Sequence, residues 1–236
     1  MFHPSSSLLS ISIIFPIFAT EMKPLTDTHY IRQLVSEGEH CHQDFKFEIS
    51  DARKIARSLS AFANTEGGRL LVGVKDNGKI AGIRSEEEIY MIEAAATMYC
   101  CPKVEIETRT YLVEGKSVLE VSIGEMAVKP VYALDEKNNP WAYIRIKDEN
   151  ILATPVHLKM WQHTKKTEGV LVEFTEREQR LLDTLKERGE ISLNQCCRIC
   201  NLNRKTASEL LADFIRFGLV EPVFSGHKFY FRLNQE

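Results

Sequence analysis

Two cationic side chains, Arg204 and Lys205, stand where a predicted helix near the C-terminus begins. Asn203, a residue type that caps helices, precedes them, and Ser208 lies one helical turn later. A recognition helix presents side chains at such positions to base edges in the major groove of DNA. The alternative is a solvated helix face, but the cap and the apolar stripe behind these residues favour DNA contact.

A predicted hairpin follows this helix after Gly218. Its strands, LVEPVF and FYFRL, are joined by residues 225–228, which places His227 and Lys228 at the tip. Both side chains could touch a phosphate or the minor groove. Residues 174–236 hold ten Lys and Arg against nine Asp and Glu, a balance that leaves protein–protein contact open as the role of this segment.

A second group of cations, Arg53, Lys54 and Arg57, is predicted on the outer side of a helix that begins after Asp51. Arg53 and Arg57 are one helical turn apart, which suits contact with successive phosphates of DNA or RNA. The alternative is solvation and pairing with nearby acids such as Asp51.

The turn at the end of that helix contains Thr65, Gly67 and Gly68, and its backbone N–H groups could cradle a phosphate. The turn lies at a helix C-terminus, however, where the dipole repels anions, and the chain has no G-x-x-x-x-G-K-[ST] motif. These observations favour a structural turn, and ATP is not expected as a cofactor.

Cys197 and Cys200 have the spacing of half a zinc or redox site. The sequence offers no second C-x-x-C or H-x-x-x-H pair, so we predict small buried apolar residues and no resident metal.

Composition limits the class of protein that could carry these groups. The 236 residues are 44% hydrophobic and 27% charged, which indicates a globular chain long enough for two folding units. A net charge of -3 gives no strong overall attraction to polyanions, so nucleic acid would be bound by a local patch. The placement of the six cysteines suits reduced thiols in the cytoplasm.

The first unit is predicted to be α+β with packed helices on a mixed β-sheet. Helices are expected over 26–37, from 52 to the turn at 64–68, over 86–99 behind a Ser85–Glu88 capping box, and over 155–163. Strands are expected over 42–49, 69–74, 103–113, 117–123, 130–134 and 141–146.

The second unit has the pattern helix, helix, helix, hairpin, which predicts a small winged helix-turn-helix domain. A Thr175–Glu178 capping box opens its first helix, and a short helix over 192–200 precedes the one capped by Asn203. The predicted domains are therefore 22–164 and 174–236 with a linker over 165–173. Residues 1–21 are expected to be a misassigned start or a disordered leader, because Met22 opens a typical cytosolic N-terminus and no Lys or Arg precedes the apolar run at 8–19.

The run SLSAFANTEGGRLLVGVKDNGKIAGI (58–83), with DFKFE before it and KPVYAL and YIRIKDENILAT after it, resembles the Schlafen AlbA-type domain, a family formerly described as a divergent AAA-type domain. The resemblance covers roughly 26–160 and implies DNA binding. Together with the predicted winged helix, it is similar to bacterial transcriptional regulators.

Schlafen-type ribonucleases suggest a competing function. The resemblance implies a carboxylate cluster at Glu39, Asp44 and Asp76, with Lys46 beside it, and such a cluster would need Mg²⁺ or Mn²⁺. In this sequence Asp44 replaces a Glu and Lys75 replaces the first acid of the G-V-D-D turn, and both departures weigh against a nuclease.

We therefore expect a cytoplasmic DNA-binding protein, a transcriptional regulator whose first domain binds nucleic acid or a signal and whose winged helix contacts DNA. DNA is the expected partner and RNA an alternative, with a homo-oligomer and no membrane association. No cofactor is expected. A divalent-metal-dependent nuclease is the alternative function, and a nucleotide-binding sensor is a further one.

Overall fold

Capping residues and hydrophobic periodicity set the helices and strands of this chain. The computed structural model describes residues 26–163 and 175–234, so the predicted leader, the linker and the proposed domain boundary lie outside the described residues. The first described segment contains α1 (Asp27–Glu37), β1 (Gln43–Lys46), α2 (Ala52–Asn64), β2 (Gly68–Val72), α3 (Glu87–Met98), β3 (Cys100–Cys101), β4 (Ile106–Val113), β5 (Lys116–Ile123), β6 (Tyr132–Leu134), β7 (Pro140–Ile146), β8 (Glu149–Leu152) and α4 (Pro155–His163). The second contains α5 (Glu176–Arg188), β9 (Glu190–Ser192), α6 (Leu193–Cys200), α7 (Arg204–Arg216), β10 (Val220–Ser225) and β11 (Lys228–Leu233).

The first sheet has the strand order β1-β2-β5-β4. Strands β1 and β2 are parallel, whereas β2 with β5 and β5 with β4 are antiparallel, which confirms the predicted α+β class with a mixed sheet. Helix α1 covers one face through Ile31 and Leu34, which pack with Phe45 and Leu71. Helices α2 and α3 cover the other face, where the main core lies.

Helix α2 is the central element, because it also packs against a second sheet of order β3-β6-β7-β8. Asp51 caps its start, as predicted, and from Ile55 to Asn64 every residue except Arg57 is buried. The second sheet was not predicted. Strands β3 and β8 have two and four residues, too few to show the alternation that marks a strand.

The predicted capping box of α3 is wrong. The helix begins after Glu86 without a side-chain cap, and Glu88 is buried beneath it. The Glu88 carboxylate accepts hydrogen bonds from the backbone N–H groups of Ile49, at 2.9 Å, and Arg84, at 2.7 Å. The side chain therefore ties α3 to the loops around it, because burying a carboxylate requires such partners.

The second described segment has its own core, to which α5, α6, α7 and the hairpin contribute. The capping box of Thr175 and Glu178 is confirmed, and the sheet has the order β10-β11-β9. Strand β9, of three residues, was not predicted. Helix α4 also contributes Val156 to this core, although the prediction assigned α4 to the first domain. None of the described helices is long and apolar enough to cross a membrane.

Candidate nucleic-acid interface

Helix α7 begins as the sequence predicted. The Asn203 Oδ1 atom accepts a hydrogen bond from the Thr206 N–H at 2.9 Å, which satisfies one of the free donors of the first turn. Arg204 and Lys205 are exposed in that turn. Their positions are thus fixed by the cap and by the buried stripe on the opposite side of α7, which includes Ala207 and Leu211.

The hairpin that follows brings two more polar side chains to the surface. Ser225 pairs with Lys228, and Gly226 and His227 form the connection with φ angles of 55° and 57°. A two-residue turn with positive φ at both positions matches the twist of the strands. His227 and Lys228 are exposed at this tip, as predicted. We call Arg204, Lys205, His227 and Lys228 the α7–hairpin surface.

Ser208 does not belong to that surface. Its side chain is fully buried, and its hydroxyl donates a hydrogen bond to the Arg204 carbonyl oxygen at 2.7 Å. The prediction that it contacts a base is wrong, because Ser208 lies on the face of α7 that packs into the core.

The guanidinium of Arg204 is oriented from the neighbouring helix. Its Nη1 donates to Asn194 Oδ1, in the first turn of α6, at 2.8 Å. No carboxylate within the described ranges forms an ion pair with Arg204, Lys205 or Lys228. Their charges therefore remain available to an anionic partner.

The cations of α2 divide into two groups. Arg53 lies over the Tyr99 ring at 4.6 Å and donates hydrogen bonds to the Asp135 carbonyl oxygen and to Asn138. This engagement corrects the prediction of a free Arg53–Arg57 pair on the outer side. Lys54 and Arg57 are exposed, and neither has an ion pair in the parts of the chain that the structure describes.

The glycine turn uses its polar groups within the protein. The N–H groups of Thr65 and Gly67 both donate to the Phe62 carbonyl oxygen at 3.0 Å. A Cβ on Gly67 would lie 2.7 Å from the Ile123 carbonyl oxygen, and one on Gly68 would lie 2.5 Å from the Phe62 ring. Close packing therefore explains both glycines, and the two amides that a phosphate would use already have acceptors.

A buried polar group lies between β1, α2, β7 and β8. Asp44 accepts a hydrogen bond from Lys46 Nζ at 2.6 Å and lies 3.5 Å from Arg145 Nη2. Arg145 donates to Asn150 Oδ1 at 3.0 Å, and Asn150 donates to Ser58 Oγ at 2.9 Å. We call these five residues, together with Glu39, the Asp44 cluster.

The pKa values of Glu39 and Asp44 are shifted in opposite directions within this cluster. Burial, followed by the hydrogen bond with Asp44, raises the pKa of Glu39 to about 7. Burial alone would raise the pKa of Asp44, but the hydrogen bond from Glu39 and the charges of Lys46 and Arg145 lower it below its usual value. The Glu39 carboxyl also accepts the Phe45 N–H at 2.9 Å, which fixes its position.

These residues do not fit a divalent cation. Asp44 is already paired with two cations, Lys46 and Arg145, whereas a metal ion needs free carboxylate oxygens. Asp76 lies in the exposed turn beyond the Val74–Ile80 bridge and has no hydrogen bond or ion pair to Glu39 or Asp44. The structure thus brings together Glu39, Asp44 and Lys46 but leaves Asp76 apart. In the described ranges, no group of three or more His, Cys, Asp or Glu residues is arranged to hold a metal ion.

The order of these elements, from Glu39 through the glycine turn to Thr154, matches a family model. Residues 39–154 match the family described as Schlafen, AlbA_2. We call this segment the AlbA_2 domain, after the family model that it matches. It spans slightly less than half of the chain and lies within the range of 26–160 predicted from the sequence.

Two solved structures are similar to the chain. The DIP2311 protein from Corynebacterium diphtheriae is 19% identical with a TM-score of 0.40, and the match covers 58% of this chain and 30% of that one. The N-terminal domain of a RecG-related protein from Nitrosomonas europaea is 21% identical with a TM-score of 0.39, and the match covers 64% of this chain and 98% of that one. The match to the Corynebacterium protein thus spans less than a third of its length. No curated protein matches the chain significantly.

Arg145 and Asn64 have roles in the AlbA_2 domain that the sequence analysis did not predict. Arg145 is 3% exposed and joins β7 to the His40 and Gln43 carbonyl oxygens. Asn64 links α2 to β7 and to Val131, the residue before β6. Its side chain accepts a hydrogen bond from the Val131 N–H at 2.7 Å and donates to the Val131 and Tyr143 carbonyl oxygens. The sequence did contain a signal for both residues, because each is a polar residue in a largely apolar run. Arg145 stands in YIRI and Asn64 in SAFAN.

The cysteines of α6 are part of the second core. Cys196 and Cys200 are buried and Cys197 is partly buried. Burial raises the pKa of the Cys196 thiol, which keeps it protonated. The structure therefore places two of these side chains among apolar neighbours.

Proposed function

We propose that the protein binds DNA and regulates transcription, and that residues 175–234 act as a winged helix whose α7 enters the major groove. The observation that carries the proposal is the α7–hairpin surface, in which exposed cations without carboxylate partners lie on a capped helix and on the hairpin beside it. In a winged helix these are the positions that contact bases and phosphates.

The AlbA_2 domain supports the same proposal, because its family suggests nucleic-acid binding. Lys54 and Arg57, three residues apart on one face of α2, form a smaller cationic site that could touch a second stretch of DNA or an RNA. All six cysteines are free thiols, which supports a reducing compartment such as the bacterial cytoplasm. Association into a homo-oligomer is part of the proposal, since paired modules contact paired half-sites.

The test is selection of binding sites from random DNA duplexes by the full chain, followed by affinity measurements on the selected site. Arg204→Gln should lose about 1–3 kcal/mol of binding free energy and relax preference at one base position, because a bidentate guanidinium contact discriminates guanine. Lys205→Gln should weaken binding to every sequence alike, because a phosphate contact carries no sequence information.

Lys186→Gln is the matched control, because Lys186 is exposed in the last turn of α5 and lies outside the α7–hairpin surface. Its affinity should equal that of the unmodified protein. Unchanged affinity in both Arg204→Gln and Lys205→Gln would remove α7 from the account of DNA binding.

A further inference from the structure

A groove of about 380 Å³ lies between the AlbA_2 domain and the C-terminal segment that carries the α7–hairpin surface. One wall is formed by Ile151 and Leu152, which belong to β8, and by Thr154, which follows that strand. The other wall consists of the first turns of α6 and α7 and the two hairpin strands. Ligand-binding clefts in proteins occur preferentially between domains and begin at about this volume.

Contacts made by α4 hold the two walls at a fixed separation. The His157 ring packs edge-on against the Phe229 ring of β11 at 4.7 Å, and Lys159 pairs with Glu209 of α7 at 2.7 Å. Burial lowers the pKa of His157 to about 4, so the ring is neutral at physiological pH and suits the apolar contact. The groove is therefore part of the folded structure and does not need a ligand to form.

The lining of the groove is mostly apolar. Leu152 and Leu193 line it together with the aromatic residues Phe224, Phe229 and Phe231. Leu152 is 45% exposed, so a large apolar side chain at the groove remains in water. An apolar body placed there would remove this surface from water, a favourable change.

The charged residues that line the groove are all cations. Arg204 and Lys228 line the groove, and no Asp or Glu is among its lining residues in the described ranges. Asn194 orients the Arg204 guanidinium, which has no carboxylate partner there and could form a bidentate pair with an incoming one. Next to an apolar surface, such a pair is less screened than in bulk water.

We infer that this groove binds a small carboxylate with an aromatic or alkyl body. The carboxylate pairs with Arg204 and Lys228, and the apolar body lies against Leu152 and the phenylalanines. Part of the inference rests on the proposed function: a ligand that occupies Arg204 and Lys228 removes two cations of the α7–hairpin surface and so lowers DNA affinity. The ligand would then act as an effector.

The test uses the full chain and two probes, 2-naphthoate and decanoate, with the neutral amide 2-naphthamide as the chemical control. Isothermal titration calorimetry should detect at least one carboxylate and show binding of the amide at least tenfold weaker. Arg204→Gln should weaken carboxylate binding about tenfold, which corresponds to about 1.4 kcal/mol. Leu152→Trp, which fills the groove without changing its charge, should abolish binding.

Lys186→Gln is the matched control, because Lys186 is an exposed cation of α5 that lies outside the α7–hairpin surface and does not line the groove. It should bind the probe within twofold of the unmodified protein. Thermal unfolding of each variant verifies that it is folded, which is expected because Leu152 and Arg204 are exposed.

The inference is overturned if neither carboxylate binds, if the amide binds equally well, or if Leu152→Trp binds as the unmodified protein does. The effector role has a separate readout. A saturating probe should weaken DNA binding about tenfold in the unmodified chain and leave it unchanged in Leu152→Trp. If the chain binds no DNA, the proposed function fails while the calorimetric result on the groove stands.

Discussion

The Asp44 cluster and the α7–hairpin surface both gather charged residues, but they use them in opposite ways. In the Asp44 cluster, Lys46 and Arg145 are paired with a buried carboxylate and with backbone carbonyl oxygens. On the α7–hairpin surface, Arg204 and Lys228 are exposed and have no carboxylate partner among the described residues. The first arrangement is internally neutralised, whereas the second still attracts an anion.

This difference shows that residue type and spacing alone do not distinguish a structural charge from a binding one. The motif that gives the AlbA_2 domain its recognisable sequence, SAFANTEGG, is largely engaged in packing and in hydrogen bonds to neighbouring strands. The less distinctive sequence at the start of α7 leaves its cations available. A buried charge without partners would destabilise the fold, whereas an exposed one costs little, so burial decides between the two roles.

The largest expected effect concerns Asn64. Asn64→Ala leaves the Val131 N–H and the carbonyl oxygens of Val131 and Tyr143 with fewer partners, and it should lower the free energy of unfolding by about 3 kcal/mol. Urea denaturation of the full chain measures this loss. Asn77→Ala, in an exposed turn, is the control and should lose less than about 1 kcal/mol. A similar small loss in both variants would show that the SAFANTEGG motif is not structural.

A smaller effect concerns the pH dependence of the Asp44 cluster. The pKa of Glu39 is about 7 in the folded protein, against an ordinary value of 4.5, so folding favours its protonated form. The associated stability is complete below pH 4.5 and is lost as the pH rises through 7. The amide of Glu39→Gln keeps the hydrogen bonds of the protonated carboxyl at every pH. The free energy of unfolding of this variant should therefore increase, relative to that of the unmodified protein, as the pH rises.

The expected change in relative stability between pH 5 and pH 8 is about 1 kcal/mol, well below the full linkage value because Glu39 is partly exposed. Unfolding free energies at several pH values measure it. Glu136→Gln, at an exposed position, should show no such trend. A difference between Glu39→Gln and the unmodified protein that does not change with pH would mean that folding does not raise the pKa of Glu39.

Local signals predicted the fold better than they predicted the candidate site. Caps at Asp51, Thr175 and Asn203 and the turn at Gly67 were confirmed because each depends on neighbouring residues. The roles of Glu88 and Ser208 were predicted wrongly because they depend on which face of a helix meets the core. The second sheet and the groove were missed because they form from segments distant in sequence, which periodicity does not detect.

The most direct test of the account is the salt dependence of DNA binding by the full chain. Lys205→Gln/Lys228→Gln should reduce the slope of log K against log salt concentration by roughly two, since each phosphate contact contributes about 0.9. Lys54→Gln/Arg57→Gln, which neutralises the exposed cations of α2, should reduce it by less than about one. We expect this order, because the α7–hairpin surface should make most of the phosphate contacts. The reverse order would place DNA on the AlbA_2 domain and contradict the central claim.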